Sequence, residues 1–100
     1  MSGLIAREPM AQVEARHNGP WFSGGNKRYF GTRLPATALV IGEYSYFWSS
    51  EKNFDGTRRL YTVRRQCRES GSIETVGEFQ QYASVEQAKA AIRKIAEGAT

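Results

Sequence analysis

The sequence has few of the residues that cross-link small domains or hold metal in them. Its 100 residues include one cysteine, Cys67, and one histidine, His17. A lone cysteine cannot close an internal disulfide, and these two side chains are too few for a four-ligand zinc site. We therefore expect a domain that folds without disulfides, bound metal or cofactors.

Long apolar runs are also missing. No run approaches the ~20 residues that a membrane-spanning helix needs. The opening MSGLIAREPM carries Arg7 and Glu8 where the apolar part of a secretory signal would lie. These features predict a cytoplasmic protein with no membrane partner.

The chain does contain enough apolar material for one core, together with an uneven distribution of charge. Hydrophobic residues make up 40% of the chain and aromatic residues 12%, so we expect residues 1–100 to form a single domain. The net charge is +4, and the stretch RRLYTVRRQCR at 58–68 holds five arginines and no acid. Such a cluster carries information about partners rather than about fold.

The first third of the chain has weak structural signals. Residues 1–20 are expected to be loosely ordered apart from a short helix near 9–17, which Pro9 would begin and Asn18-Gly19 would end. Alternation in QVEAR leaves a strand as the alternative for this segment. The following GPWFSGGNKRYFGTRLP predicts a compact loop with one short strand at 27–33.

Three later stretches have the composition and alternation of strands: 37–48, 58–67 and 73–82. In the first stretch the apolar phase slips at Gly42-Glu43, which either a bulge or a tight turn would explain. Asp55-Gly56 predicts the reversal before the second stretch. Short connections of this kind favour an antiparallel meander.

The last segment predicts a helix over 85–97. Ser84 is placed to accept from the backbone N–H of Gln87, while the Gln87 side chain returns to the cap residue. One apolar stripe then recurs along the helix, formed by Val85, Ala88, Ile92 and Ile95. The predicted fold class is α+β, with an antiparallel sheet of three to four strands and this helix packed on one face as a scaffold.

The C-terminal half resembles known nucleic-acid-binding modules. YTVRRQCRESGS before a strand and SVEQAKAAIRKIA after it resemble double-stranded RNA-binding domains, whose second helix also carries an Ala-Lys pair, here Ala88-Lys89. That family begins the helix with phosphate-binding lysines, but Val85-Glu86 stands there in this chain, so no site residue is carried over. The same half resembles the hairpin-plus-helix modules of AP2-type and phage-integrase arm-binding domains. This second likeness implies that Arg58, Arg64 and Arg68 lie on an exposed sheet face.

The arginine cluster supports two interpretations. In the first, it contacts the phosphates of nucleic acid or of a nucleoprotein. The predicted contact residues are Arg58, Arg59, Arg64, Arg65, Arg68, Lys27 and Arg28. Tyr61, Tyr29 and Phe30 would then either stack on bases or belong to the core. In the second, the cluster is a solvated strand face that pairs across the sheet with carboxylates. The candidate carboxylates are those of Glu69, Glu74 and Glu78.

The aromatic strand suggests a different kind of partner. Its two phases are Tyr44, Tyr46 and Trp48 against Leu39, Ile41 and Phe47. Both faces are therefore apolar, and one helix covers only one of them. The other face would be covered by the N-terminal segment or would serve as a homodimer or partner surface. The alternative function is a small protein-binding inhibitor or adaptor, such as a phage-encoded anti-defence (anti-CRISPR-like) protein, anchored by the three residues of the first phase.

Candidates for catalysis are few. His17 with Glu14 would form an acid/base pair, Cys67 would be a nucleophile, and an Arg/Tyr/Glu group is of the kind that metal-independent small ribonucleases use. Cys67 falls in the apolar phase of its strand, which predicts a buried, inert thiol. SGGNKRYFG lacks the spacing of a nucleotide-binding loop. We therefore predict a non-enzymatic binding module, with a metal-independent ribonuclease as the second alternative.

Overall fold

Within the part of the chain that the structure describes, five antiparallel strands form one sheet with a helix on each face. The computed structural model describes residues 6–17, 19, 34–52 and 58–98. In chain order the elements are β1 (Ala6–Pro9), α1 (Met10–Arg16), β2 (Thr37–Ile41), β3 (Tyr44–Lys52), β4 (Arg59–Cys67), β5 (Ile73–Val76) and α2 (Val85–Gly98). Each strand pairs with the next along the chain, so the sheet is a meander in the order β1-β2-β3-β4-β5.

The predicted α+β class is confirmed, with more strands than the three to four expected. One additional strand arises because the stretch 37–48 contains two strands. The other is β1, which pairs with β2 at Arg7↔Leu39 and Glu8↔Ala38. Its one buried side chain is that of Glu8, and a buried acid leaves no trace in a hydrophobic pattern. Residues 6–17, which were expected to be loose around a short helix, therefore form an edge strand and that helix.

The stretch 37–48, predicted as one interrupted strand, belongs to the β2–β3 hairpin. Ile41 pairs with Tyr44, so Gly42-Glu43 forms a two-residue turn, and Gly42 has a φ of +61°. A positive φ at the first position of such a turn strongly favours glycine. Of the two explanations for the phase slip, the tight turn is the one the structure contains.

This turn also corrects the expectation about which apolar side chains share a face of the aromatic strand. Leu39 lies opposite Tyr46, so all members of the two predicted phases except Phe47 share one face and pack beneath α2. The buried core there consists of Ile41, Tyr46, Val63, Ala88, Ile92 and Ala96. Phe47 points to the opposite face. Its buried neighbours there are Met10, Val13 and Ala38. The prediction assigned Leu39 and Ile41 to the wrong face because the chain reverses where the phase slips. The second face is apolar at Phe47, and the N-terminal segment covers it through α1, which is one of the two alternatives predicted for that face.

β3 and β4 are the longest strands, and they pair along their whole length to Lys52↔Arg59. Residues 53–58 therefore connect them. Several predictions lie outside the described residues: the reversal at Asp55-Gly56, the strand at 27–33, and the contact or stacking residues Lys27, Arg28, Tyr29 and Phe30.

The third predicted strand is shorter than expected. β5 ends at Val76, because the chain turns at Gly77, where φ is +80°. Gln80 also has a positive φ of 58°, so the connection to the helix is an irregular loop. Tyr82 returns to the sheet through a single bridge to Tyr61.

The predicted C-terminal helix is confirmed as Val85–Gly98. Ser84 Oγ accepts from the backbone N–H of Gln87 at 3.2 Å, as the capping pattern requires. The Gln87 side chain accepts from the N–H of Ala83 at 2.9 Å, one residue earlier than predicted. The buried positions of the helix are Ala88, Ile92 and Ala96.

Candidate functional site

The arginines of β4 do not form one surface, because successive residues of a strand point to opposite faces. Arg64 lies on the α1 face and is largely buried, with 12% of its side chain exposed. It donates to Glu51 Oε2 at 3.2 Å, to Ser49 Oγ at 3.2 Å and to Thr75 Oγ1 at 2.8 Å. Burial lowers the pKa of Arg64, and the nearby Glu51 carboxylate opposes that shift. Arg64 is therefore held inside the sheet by polar partners.

Arg65 lies on the α2 face and is held by side chains on both sides. Its Nε donates to Glu74 Oε2 at 2.7 Å, and its guanidinium lies 4.0 Å from the centre of the Tyr44 ring. Hydrogen bonds to Tyr46 and then to Glu74 raise the pKa of Arg65. This is the cross-strand pairing that the second interpretation of the cluster predicted for Glu74.

A buried carboxylate on β1 holds two further arginines. Glu8 Oε1 accepts from Arg16 Nη2 at 2.6 Å and from Ser45 Oγ at 2.7 Å. Glu8 Oε2 accepts from Arg16 Nη1 at 2.7 Å and from Arg68 Nη2 at 3.3 Å. The hydrogen bonds from Arg16 are the main reason that the pKa of Glu8 is lowered to about 2. Arg68, at the end of β4, is therefore tied to β1.

The remaining arginines of the predicted cluster lie near the start of β4. Arg59 Nη1 donates to Ser50 Oγ at 2.8 Å, and Arg58 is exposed. Three of the five arginines, Arg64, Arg65 and Arg68, thus have a carboxylate partner in the described structure. A bound phosphate would have to compete with those partners.

The predicted interface aromatics are part of the core beneath α2. Tyr46 is buried, whereas Tyr44 and Trp48 are half-buried. The Tyr44 and Tyr46 rings meet edge-to-face at 6.2 Å, and Trp48 meets Tyr61 in the same way at 5.9 Å. Of the three predicted anchors, Tyr46 and Trp48 also line an open cleft, which is described below.

The two candidate catalytic side chains, those of His17 and Cys67, each contact the loop that follows β4. His17 Nδ1 lies 2.9 Å from the carbonyl oxygen of Gly71, so its ring is fixed against backbone. The Cys67 thiol was expected to be buried, but the residue is partly exposed at the end of β4. Hydrogen bonds from Ser70 lower its pKa. The expectation of a buried thiol fails because β4 ends at this residue.

A cleft of about 540 Å³ opens between the β1–β2 edge, β3 and α2. Its apolar lining includes Leu39, Trp48 and Ile92. The other described residues that line it are Arg7, Leu34, Pro35, Ala36, Thr37, Tyr46, Phe47, Lys89 and Arg93. None of these residues is acidic, and three are cations. The cleft therefore combines an aromatic and aliphatic floor with a positive rim.

The three rim cations come from distant parts of the chain. Arg7 pairs with Leu39, which pairs with Tyr46, so Arg7 lies in a cross-strand row on the α2 face. Lys89 and Arg93 are four residues apart on α2 and therefore project from the same side of the helix. All three are exposed. Among the described residues, none of the three has a carboxylate partner.

Sequence reasoning did not find this site. Lys89 and Arg93 lie beside the apolar stripe of α2 and were interpreted as part of a scaffold. The sequence feature that could have indicated the site is the spacing of these two residues around Ile92, because it places two cations at one edge of the buried face of the helix. The sequence pattern could not assign Arg7 to the same site, because the neighbours of Arg7 are set by the pairing register of β1 with β2.

The fold and the cleft define a class: a small α+β domain with a five-stranded meander, two helices and a basic cleft on one face. Residues 7–93 match the model of the Family of unknown function (DUF7447), and the chain belongs to that family. The matched range includes every described residue that lines the cleft. No curated protein and no solved structure matches the chain.

Two further observations apply to the described part of the chain. No helix there has the length and apolar character that crossing a membrane requires. No group of three or more His, Cys, Asp or Glu side chains is placed there to hold a metal ion.

Proposed function

We propose that the protein is a non-enzymatic nucleic-acid-binding module and that the basic cleft is its main contact site. The observation that carries the proposal is the convergence of Arg7, Lys89 and Arg93 on one cleft whose described lining has no acid. Phosphates release bound counterions when they meet such cations, and this release drives association. A cytoplasmic location, where nucleic acid is accessible, is part of the same proposal.

The arginines of β4 have a smaller role in this proposal than the sequence suggested. A phosphate at Arg64 or Arg65 would have to displace a carboxylate already in contact, which offsets the gain. Arg58 and Arg68 are exposed near the two ends of the strand. They would add phosphate contacts for a longer nucleic acid or a nucleoprotein, and a phosphate at Arg68 would share the guanidinium with Glu8, whose Oε2 is 3.3 Å away.

The test measures binding of a labelled oligonucleotide of about 12 nucleotides by fluorescence anisotropy. Salt is varied from about 50 to 200 mM, because each phosphate contact contributes roughly 0.7 to the slope of log affinity against log salt for a single strand. We expect the triple variant Arg7→Ala, Lys89→Ala, Arg93→Ala to bind more weakly and to lower that slope by about 2.

Lys94→Ala is the matched control. Lys94 is on the same helix and carries the same charge as Lys89, but it lines a different surface groove. The control should bind like the wild type. Because each removes one lysine from α2, Lys94→Ala is compared with Lys89→Ala, and equal losses of affinity in these two variants would contradict the cleft as the contact site.

The competing function is a protein-binding inhibitor or adaptor. The absence of binding to any oligonucleotide at the lowest salt would overturn the nucleic-acid proposal. A stoichiometric complex with one purified protein, unaffected by salt and by the triple variant, would favour the competing function.

A further inference from the structure

We infer that the cleft binds one unstacked nucleotide of a single strand, with the base on the apolar floor and the flanking phosphates on the rim. The inference rests on the proposed function, because it specifies which nucleic acid the cleft would take. A nucleotide combines an aromatic base with an anionic phosphate. The apolar floor of the cleft suits the base, and the cations of the rim suit the phosphate.

The floor includes an indole ring that the core holds in place. Trp48 is half-buried and borders the cleft, while its ring packs against Tyr61 at an interplanar angle of 77°. A side chain held by the core loses little conformational freedom when a ligand stacks on it. Base stacking on such a ring tolerates any sequence, because every base has a π face.

The size of the cleft fits one nucleotide rather than a helix of nucleic acid. Its volume of about 540 Å³ falls within the range of roughly 300–1,000 Å³ that is usual for small-ligand sites. The bases of a duplex are stacked and paired, so they cannot enter a concave site unless one is flipped out. A duplex would therefore touch the cations of the rim and leave the floor unused.

The rim cations are arranged around that floor. Lys89 and Arg93 line the cleft from α2, and Arg7 lines it from β1. Phosphates on either side of one nucleotide would thus meet cations from two different elements. A free mononucleotide has one phosphate group and would engage only part of this rim.

The experiment compares four ligands by anisotropy or by competition: a thymidine oligonucleotide, an abasic oligonucleotide of equal length, a duplex, and thymidine monophosphate. We expect the base-bearing strand to bind about tenfold more tightly than the abasic strand. Equal affinity of the protein for all three polymers would overturn this inference and leave the proposed function intact. No binding to any polymer would overturn both.

The monophosphate arm distinguishes a strand from a free nucleotide. Affinity for thymidine monophosphate equal to that for the oligonucleotide would overturn the assignment to a strand. Weak competition, reached only at far higher concentration, is the result that supports it.

Two variants of Trp48 connect the preference to the floor of the cleft. We expect Trp48→Leu to bind the base-bearing strand no more tightly than the abasic strand. We expect Trp48→Phe to keep part of the preference for the base-bearing strand. Retention of the full preference in Trp48→Leu would overturn the inference.

A second readout does not depend on the stability of Trp48→Leu. The base-bearing strand should quench indole emission in the wild type more than in Trp48→Phe, in which Trp21 is the remaining indole. Equal quenching in the two proteins would place the base elsewhere.

Discussion

Glu8 and Arg16 form an ion pair with two parallel hydrogen bonds, of 2.6 and 2.7 Å, between β1 and the end of α1. The side chain of Glu8 is 5% exposed, and Gln66 from β4 accepts from Arg16 as well, at 2.9 Å. Paired arginine and carboxylate groups with this geometry are among the stronger polar contacts in proteins. The pair therefore fastens the N-terminal edge strand and its helix to the middle of the sheet.

Removal of the arginine should cost more stability than removal of both members of the pair. Arg16→Met leaves the buried Glu8 carboxylate with less compensation, and we expect a loss of about 3 kcal/mol in the free energy of unfolding. The double variant Arg16→Met, Glu8→Gln removes that charge and should recover part of the loss. Urea denaturation of the wild type, both single variants and the double variant measures this coupling. If the losses in unfolding free energy of the two single variants simply add in the double variant, the coupling between Glu8 and Arg16 is contradicted.

The same pair predicts how stability depends on pH. The pKa of Glu8 falls from its ordinary value of 4.5 to about 2 in the folded protein, so folding favours the charged form. Its contribution is present above pH 4.5 and is lost as the pH falls from about 4.5 to 2. The shift corresponds to a stabilisation on the order of 3 kcal/mol.

Glu8→Gln is the reference for that pH measurement, because it keeps the shape of the side chain and removes its titration. Urea unfolding of the wild type and of the variant between neutral pH and about pH 2 isolates the contribution of Glu8. The two stabilities should converge as the pH falls. Curves that run parallel over the whole range would show that the pair does not stabilise the fold.

Gly71 is a position where the packing of α1 admits no side chain. Its φ is +79°, and a Cβ there would lie 2.1 Å from the carbonyl oxygen of Arg16. Because a backbone oxygen cannot rotate away, Gly71→Ala should destabilise the protein by about 2 kcal/mol or more. Gly98→Ala is the control, since no heavy atom lies within 4 Å of its added Cβ. Thermal melting of both variants checks the prediction, and similar melting temperatures would contradict it.

Local signals predicted α2 and the antiparallel connections. Ser84 and Gln87 cap α2 through contacts within four residues, so a short stretch of sequence contains the whole signal. The tight turn at Gly42-Glu43 is equally local. The sequence did not distinguish a bulge from a turn at Gly42-Glu43. That distinction decides which side chains of β2 and β3 lie on the same face of the sheet.

β1 and the cleft could not be predicted in this way. Besides Arg16, the partners of the buried Glu8 are Ser45 and Arg68, which are 37 and 60 positions away. A pattern based on hydrophobicity assigns any acid to the surface. Arg7 and Arg93 come together from opposite ends of the chain through strand register and helix packing. Conversely, the arginines at 58–68 are adjacent in sequence, but the strand divides them between two faces.

Arg64 and Lys89 should therefore respond to substitution in opposite ways. Arg64→Leu removes a largely buried guanidinium that bonds Glu51, Ser49 and Thr75. It should lower the melting temperature by several degrees, roughly 4–8 °C for each kcal/mol lost, and leave oligonucleotide affinity within about twofold. Lys89→Ala removes an exposed cation of the cleft, so its melting temperature should change little while affinity falls about fivefold at low salt. Both variants are compared by thermal melting and by anisotropy under the same buffer conditions. A loss of affinity in Arg64→Leu alone would contradict the cleft as the contact site. It would indicate that the arginines of β4 contact the nucleic acid, as the sequence first suggested.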